Sequence, residues 1–218
     1  LATLGTLAAE IAHEIRNPLM VVRLLFDSLG LEQGEDEAKN KDLSVIREKL
    51  DHLEQIAGRI LDFGKSREAF RKPFSLKEII EDATLLVRLK LEQCHVTLFV
   101  NEFPHDLLVY VDKGQIQQAL LNLMLNALVA MPTGGKLKIE VSRTGEGKAQ
   151  VLVEDTGTGI REELKGKIFD SFLTGTTEGT GLGLSISKRI LRAHDGDLDL
   201  VQSGSKGTIF KITLPLTR

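Results

Sequence analysis

The sequence predicts an α+β protein in two parts. An N-terminal helical hairpin forms a dimeric four-helix bundle, and a two-layer α/β sandwich follows it. Three observations carry this expectation. The N-terminal third holds a purely helical period; composition changes around Ser66 to Ser75, where Pro73 blocks continuation of the helix; and beyond that point helical and strand periods are mixed. The boundaries are placed at 1–68 for the hairpin, 69–74 for a linker and 75–218 for the sandwich.

In the hairpin, Leu4, Ala8, Ile11, Ile15, Pro18, Val22, Leu25 and Leu29 follow at alternating steps of four and three. That is a heptad seam along a helix about 43 Å long. The polar stretch Glu32 to Asn40, with Gly34, reads as a turn. A second seam takes in Leu43, Ile46, Leu50, Leu53, Ala57, Ile60 and Gly64. One hairpin leaves the rest of its apolar stripe uncovered, including Leu7, Ile56 and Leu61, and pairing two hairpins buries it. A homodimer is expected.

After the boundary, Leu76 to Leu91 reads as a helix. Gln115 to Ala130 reads as a second, with Asp112 as N-cap and Gln115 closing a capping box, and Leu182 to Ala193 as a third. His95 to Asn101, Leu107 to Val111, Lys136 to Arg143, Ala149 to Asp155, Asp197 to Gln202 and Thr208 to Leu214 read as strands. The sheet looks antiparallel, and helices in runs beside it make a two-layer sandwich. Arg161 to Thr180, polar and dotted with glycine, reads as a mobile lid.

Lys+Arg at 28 against Asp+Glu at 31 offers no basic field, so no nucleic-acid partner is expected. A single Cys94 excludes an internal disulfide and a zinc site made from cysteine pairs, and it fits a reducing cytoplasm. No apolar run approaches the ~20 residues of a membrane-spanning helix, so no membrane contact is expected of this stretch. Because the chain opens at Leu1 inside a helical pattern, it reads as a fragment of a longer protein that itself could be membrane-anchored.

With Ala8 and Ile15 at heptad position a and Ile11 at d, His13 falls at f, opposite the seam. Glu14 at g and Asn17 at c share its helical flank. Three polar residues on a solvated face would look the same. Yet an exposed imidazole beside a carboxylate has the parts of a nucleophile and its general base. Pro18 also frees backbone carbonyls near Glu14, at a cost on the order of 3 kcal/mol in a helix interior. Spacing alone leaves both readings open. His52 falls on the exposed side of the second helix, and His95, His105 and His194 have no ligand-spaced company.

Three further motifs point to a nucleotide. Asn122 and Asn126 lie on one face of an otherwise apolar helix, where amides are expensive to bury without partners. Bonds to backbone at the core edge would also account for them. Val153-Glu154-Asp155-Thr156-Gly157-Thr158-Gly159-Ile160 ends a strand on a carboxylate that can accept from an exocyclic amine, although turns commonly look like this. Glu178-Gly179-Thr180-Gly181-Leu182-Gly183-Leu184 opens a helix, and such a loop presents free N–H groups to phosphates.

Glu10-Ile11-Ala12-His13-Glu14-Ile15-Arg16-Asn17-Pro18-Leu19 resembles the H-box of two-component sensor histidine kinases, in the branch with His-Glu-x-x-Asn-Pro. In this order, the other motifs resemble the N, G1 and G2 boxes of the Bergerat ATP-binding fold, with Phe169 and Phe172 as the F-box. The resemblance covers nearly the whole chain. It implies a HisKA-type dimerisation and phosphoacceptor domain joined to a GHKL-type ATPase domain, with ATP and Mg2+ as cofactors. It further implies His13 as phosphoacceptor, Glu14 as the general base that takes the ring proton, and Asn17 as orienting a water that dephosphorylates the partner. Asn126 is the implied magnesium ligand, supported by Asn122. Asp155 reads adenine, helped by Gly157, Gly159 and Thr208. Gly179, Gly181 and Gly183 hold the phosphates, and Thr180 and Leu182 join the ATP-binding set. The run that begins at Asn126 and continues Ala-Leu-Val-Ala-Met-Pro looks most like the nitrogen-regulation subgroup. Thr174-Gly175-Thr176 departs from the Thr-Thr-Lys of many relatives, and Ala130 replaces a residue often polar or basic elsewhere.

The implied reaction is ATP-dependent autophosphorylation of His13, followed by transfer to an aspartate on the receiver domain of a response regulator, with phosphatase activity toward that regulator. A motor-like ATPase of the same fold, as in DNA gyrase or mismatch-repair proteins, uses a glutamate at the position matching Asn122, and asparagine cannot act as a base. A phosphatase-dominant or scaffold form finds its support in Thr176.

Overall fold

A computed structural model describes Leu19, Met20, Arg23, Leu50 and residues 69–102, 107–145, 147–171 and 181–217. The chain divides into two units, Leu1–Arg67 and Glu68–Arg218. In the first, the four described residues are helical and Leu19 is buried. The two seams as a whole and His13, Glu14 and Asn17 lie outside the described residues.

The second unit runs β1 (Lys72–Ser75), α1 (Leu76–Gln93), β2 (Val96–Val100), β3 (Leu108–Val111), α2 (Lys113–Ala130), β4 (Gly135–Thr144), β5 (Lys148–Asp155), α3 (Glu162–Lys165), α4 (Gly183–Ala193), β6 (Asp197–Gly204) and β7 (Gly207–Pro215). Helical periodicity buries Leu76, Ile79, Ile80, Ala83, Val87 and Leu91 on α1. The same period buries Ile116, Ala119, Leu120, Leu123, Met124, Ala127 and Leu128 on α2. The strands supply the facing layer by alternation, with Leu137, Ile139 and Val141 of β4 and Phe210, Ile212 and Leu214 of β7 buried. Each such side chain contributes roughly 1.5–3 kcal/mol by leaving water.

Five strands form one sheet in the order β2-β4-β5-β7-β6, and β1 and β3 form a separate pair. The large sheet is mixed rather than antiparallel. β2 and β4 run parallel, Val96 beside Gly135 through Val100 beside Ile139, while the other pairs are antiparallel. The reason is the connection: β3 and α2 intervene and return the chain in the same direction, as a parallel crossover requires.

Residues 69–74 are not a free linker. Lys72 to Ser75 pair antiparallel with Leu108 to Val111, and Pro73, opposite Tyr110, is tolerated because a two-stranded ribbon is all edge. The stretch expected as a lid also holds structure, the single turn α3. The capping box on α2 is half right. Asp112 Oδ1 accepts the Gln115 N–H at 3.2 Å, but the Asp112 N–H goes to His194 Nε2 at 3.1 Å rather than to the Gln115 side chain.

Gly207 opens β7 with φ of +116°, and a Cβ there would lie 1.8 Å from the Asp155 carbonyl oxygen. Gly207→Ala is expected to lower unfolding stability by about 2–4 kcal/mol. Urea denaturation measures this, and an unchanged midpoint would contradict the close approach of β7 to the end of β5.

Candidate functional site

The alternation that buries Ala149, Val151 and Val153 on β5 carries Asp155 to the same side, where it is 6% exposed. Its Oδ1 accepts the Gly157 N–H at 2.8 Å and the Thr208 N–H at 3.2 Å. Both local donors thus use one oxygen, leaving Oδ2 to accept from a ligand. Burial pushes the Asp155 carboxyl above its ordinary range, and the two N–H groups pull it back. Thr208 is itself buried, and its Oγ1 shares a hydrogen bond of 3.0 Å with Ser203 Oγ. Ser203 Oγ also accepts the Ile160 N–H at 2.8 Å, which fixes the loop after Asp155.

That loop lies on the last residue of α2. The Thr158 N–H donates to the Ala130 carbonyl at 3.0 Å, and a Cβ on Gly157 would meet that oxygen at 2.6 Å. Gly159 packs as closely on the Gly204 backbone. One turn back along α2 is Asn126, and one turn further Asn122. Asn122 Nδ2 donates to the Gly183 carbonyl at 3.4 Å and to Ser187 Oγ at 3.3 Å. Ser187 Oγ donates in turn to the Gly183 carbonyl at 2.9 Å. Asn126 is exposed, and its side chain makes no hydrogen bond with another described residue. A Cβ on Gly183 would stand 3.9 Å from Asn122 Cγ and 4.0 Å from Asn126 Nδ2, so any side chain at 183 would fill the space before the two amides.

Gly181, with φ of +66°, and the buried Leu182 lead into α4 at that point. Phe169 is half-buried beneath Lys188 of α4, whose Nζ stands 4.4 Å from the ring centroid. Lys188 is held by the Leu198 carbonyl at 2.6 Å and Asp197 at 3.1 Å. Phe172, Gly179 and Thr180 lie outside the described residues, as does Thr174-Gly175-Thr176. The structure therefore gathers Asn122, Asn126 and Gly183 at one place, and Asp155, Gly157, Gly159 and Thr208 at another, both on α2. Sequence reasoning missed Ser187, Lys188 and His194. Ser187 falls one helical turn after Gly183, which was the available signal; the other two carry none at short range.

Among the described residues no group of three or more His, Cys, Asp and Glu side chains comes together. No helix among them is long and apolar enough to cross a membrane.

A glycine loop opening a helix, an amide pair facing it and a buried carboxylate at a strand end define a nucleotide-binding ATPase domain. Known proteins agree. Residues 111–218 match the family described as histidine kinase-, DNA gyrase B-, and HSP90-like ATPase, and residues 3–69 match the His Kinase A (phospho-acceptor) domain. The histidine-protein kinase AtoS of Escherichia coli (strain K12) is 35% identical over 99% of this chain and 35% of its own length. Among solved structures, the catalytic domain of histidine kinase ThkA aligns with a TM-score of 0.60 and 35% identity, over 67% of this chain and 96% of that one. ThkA in complex with the response regulator protein TrrA aligns with a TM-score of 0.73 and 32% identity, over 98% of this chain and 62% of that one. The chain belongs to the histidine kinase family of two-component signal transduction. It spans between 29% and 50% of the length of the curated relatives it matches.

A carboxyl whose folded-state value is raised favours folding most below its unfolded value, 3.8, and loses that contribution as pH rises through the raised one. At pH 7 the buried Asp155 carboxylate therefore costs stability. Asp155→Asn keeps an Oδ1 acceptor for both N–H groups and removes the charge. The expected result is a melting temperature that, relative to the natural chain, is higher at pH 7 than at pH 4. Scanning calorimetry at the two pH values decides it, and an identical pH dependence in both proteins would be the contrary result.

Proposed function

We propose that this chain binds magnesium-ATP along α2 and transfers the γ-phosphoryl group to its own His13, then to an aspartate on a response regulator. The observation that carries this reading is the order of groups along one helix. Ala130, beside Asp155 and Gly157, lies ~6 Å along the axis from Asn126 and ~12 Å from Asn122, which faces Gly183. That span suits a nucleotide laid with its base at the carboxylate and its phosphates at the glycine loop.

In this reading Asp155 Oδ2 accepts from the exocyclic amine of adenine, and the backbone of Gly157 and Gly159 lies close to the base, with Thr208 holding the carboxylate. Gly179, Thr180, Gly181, Leu182 and Gly183 present N–H groups and the positive end of α4 to the phosphates. Asn126, uncommitted and oxygen-bearing, is the hard ligand a magnesium ion takes from protein when most of its shell is phosphate and water. Bound there, magnesium supplies neutralisation of the phosphate charge. Asn122 supports Asn126 by fixing Gly183. Phe169 and Phe172 anchor the segment between.

Glu14 takes the His13 ring proton while a ring nitrogen attacks the γ-phosphorus in line; the N–P bond forms as the P–O bond to ADP breaks. The phosphoramidate then passes its phosphoryl group to the regulator. ThkA has been solved with such a regulator, which supports a receiver domain as the partner. Residues 1–68 supply the homodimeric phosphoacceptor domain, and residues 75–218 supply ATP binding. Asn17 orients water for dephosphorylation of the regulator. Free Cys94 fits a cytoplasmic setting for this part of the protein.

Incubation with γ-labelled ATP and magnesium is expected to give acid-labile, base-stable label that disappears in His13→Ala. No label on a folded chain that binds ATP would transfer the reading to a phosphatase or scaffold. Glu14→Ala is expected to slow labelling about 10²- to 10⁴-fold, the usual share of a general base. A labelling rate equal to that of the natural chain would remove Glu14 from the mechanism.

A further inference from the structure

We propose that Arg71 and His194 are positioning residues that bind α2, α4 and the segment entering the second unit into one body, and so set the span between Asn126 and the glycine loop. The proposal rests on the reading of α2 and α4 as the phosphate side of a nucleotide site.

His194 follows the last residue of α4 and is fully buried. Its Nδ1 lies 2.7 Å from the Ile190 carbonyl, which can only accept, so Nδ1 carries the proton. Nε2 is then the acceptor, and it takes the Asp112 N–H at 3.1 Å. The neutral ring thus bridges the end of α4 to the residue that caps α2. Asp112 is a junction as well. Its Oδ1 caps α2 and its Oδ2 accepts the Phe70 N–H at 3.1 Å. From the same entry segment, Arg71 Nη1 reaches Asp195 Oδ2 at 2.7 Å and Nη2 donates to the Ala193 carbonyl. Asp195 has φ of +60°, so the turn leaving α4 is left-handed and is held at both ends by Arg71.

The two helices are antiparallel and linked at two levels. Asp112 meets His194 at one end, and Asn122 meets Gly183 and Ser187 at the other. Fixing the far ends of both helices therefore supports the spacing of Asn126 and Gly183 that the Asn122 bonds hold locally. Asp155 belongs to β5 and shares none of these bonds. Loosening the strap should separate the phosphate side of the site from the adenine side.

An ion pair with one partner 72% exposed contributes little to overall stability, so its loss need not unfold the unit. The test compares the natural chain with Arg71→Met, Arg71→Lys and Asp195→Asn, titrated with magnesium-ATP and separately with adenosine, followed by NMR shifts. Arg71→Met is expected to weaken magnesium-ATP binding about fivefold or more, with adenosine affinity held within about twofold and the melting temperature nearly unmoved. Arg71→Lys, which can keep one of the two bonds, and Asp195→Asn, which keeps the Ala193 bond and an uncharged acceptor for the other, should fall between. Equal losses for both ligands, or no loss for either, would overturn the positioning role. Failure of the natural chain to bind magnesium-ATP would instead defeat the reading of the site itself.

Discussion

Helix α2 has two incompatible demands placed on one surface, and the second unit is arranged around the compromise. Its eighteen residues must seal the sheet, which Ile116, Leu120, Leu123, Met124, Ala127 and Leu128 do. They must also present two amides toward a space that stays open. A helix that turns 100° per residue can do both only if the polar positions fall four apart on a flank the core does not need. Asn122 and Asn126 occupy that flank. The price of such a flank is an exposed fringe, and Leu125 and Val129 stand partly in solvent beside it.

This geometry explains which parts were legible beforehand. Periods of two and 3.6 are local, so they delimit the helices and strands to within a few residues and send Asp155 inward with Val151 and Val153. The asparagine pair is legible for the same reason, since its spacing is a property of one helix. What spacing cannot report is a partner far along the chain. The His194 bond to Asp112 spans 82 residues and the Asn122 bond to Ser187 spans 65. The parallel register of β2 on β4 and the pairing of β1 with β3 are likewise set by tertiary placement. Pro73 announced the end of a helix but could not announce that a strand begins there.

The polar groups of the site fall into two kinds, and their commitments separate them. Asp155 Oδ1, Asn122 and Ser187 are spent on the fold, each satisfied by backbone or by one another. Every buried side-chain polar atom among the described residues has a partner. Asp155 Oδ2 and the Asn126 amide have no partner among the described residues. Preorganisation works this way: the committed groups hold the uncommitted ones, so a ligand meets acceptors already aimed and already stripped of competing bonds. Lys188 does the same for Phe169, since its charge is fixed by Asp197 and the Leu198 carbonyl before it meets the ring.

The same commitments bear on what the site can do with a nucleotide. Hydrolysis needs a group that takes a proton from water at the γ-phosphate. Among the described residues, the side chain facing Gly183 is an amide that donates to the Gly183 carbonyl and to Ser187, and an amide has no basicity to lend. Rotating it to face water would leave the Gly183 carbonyl to Ser187 Oγ alone and still provide no base. Asp155, buried and held by the Gly157 and Thr208 N–H groups, lies at the other end of α2 from Asn122. In the proposed reading, an amide rather than a carboxylate faces Gly183, so the nucleophile brings its own base. His13 beside Glu14 is the pair in this sequence that has both parts.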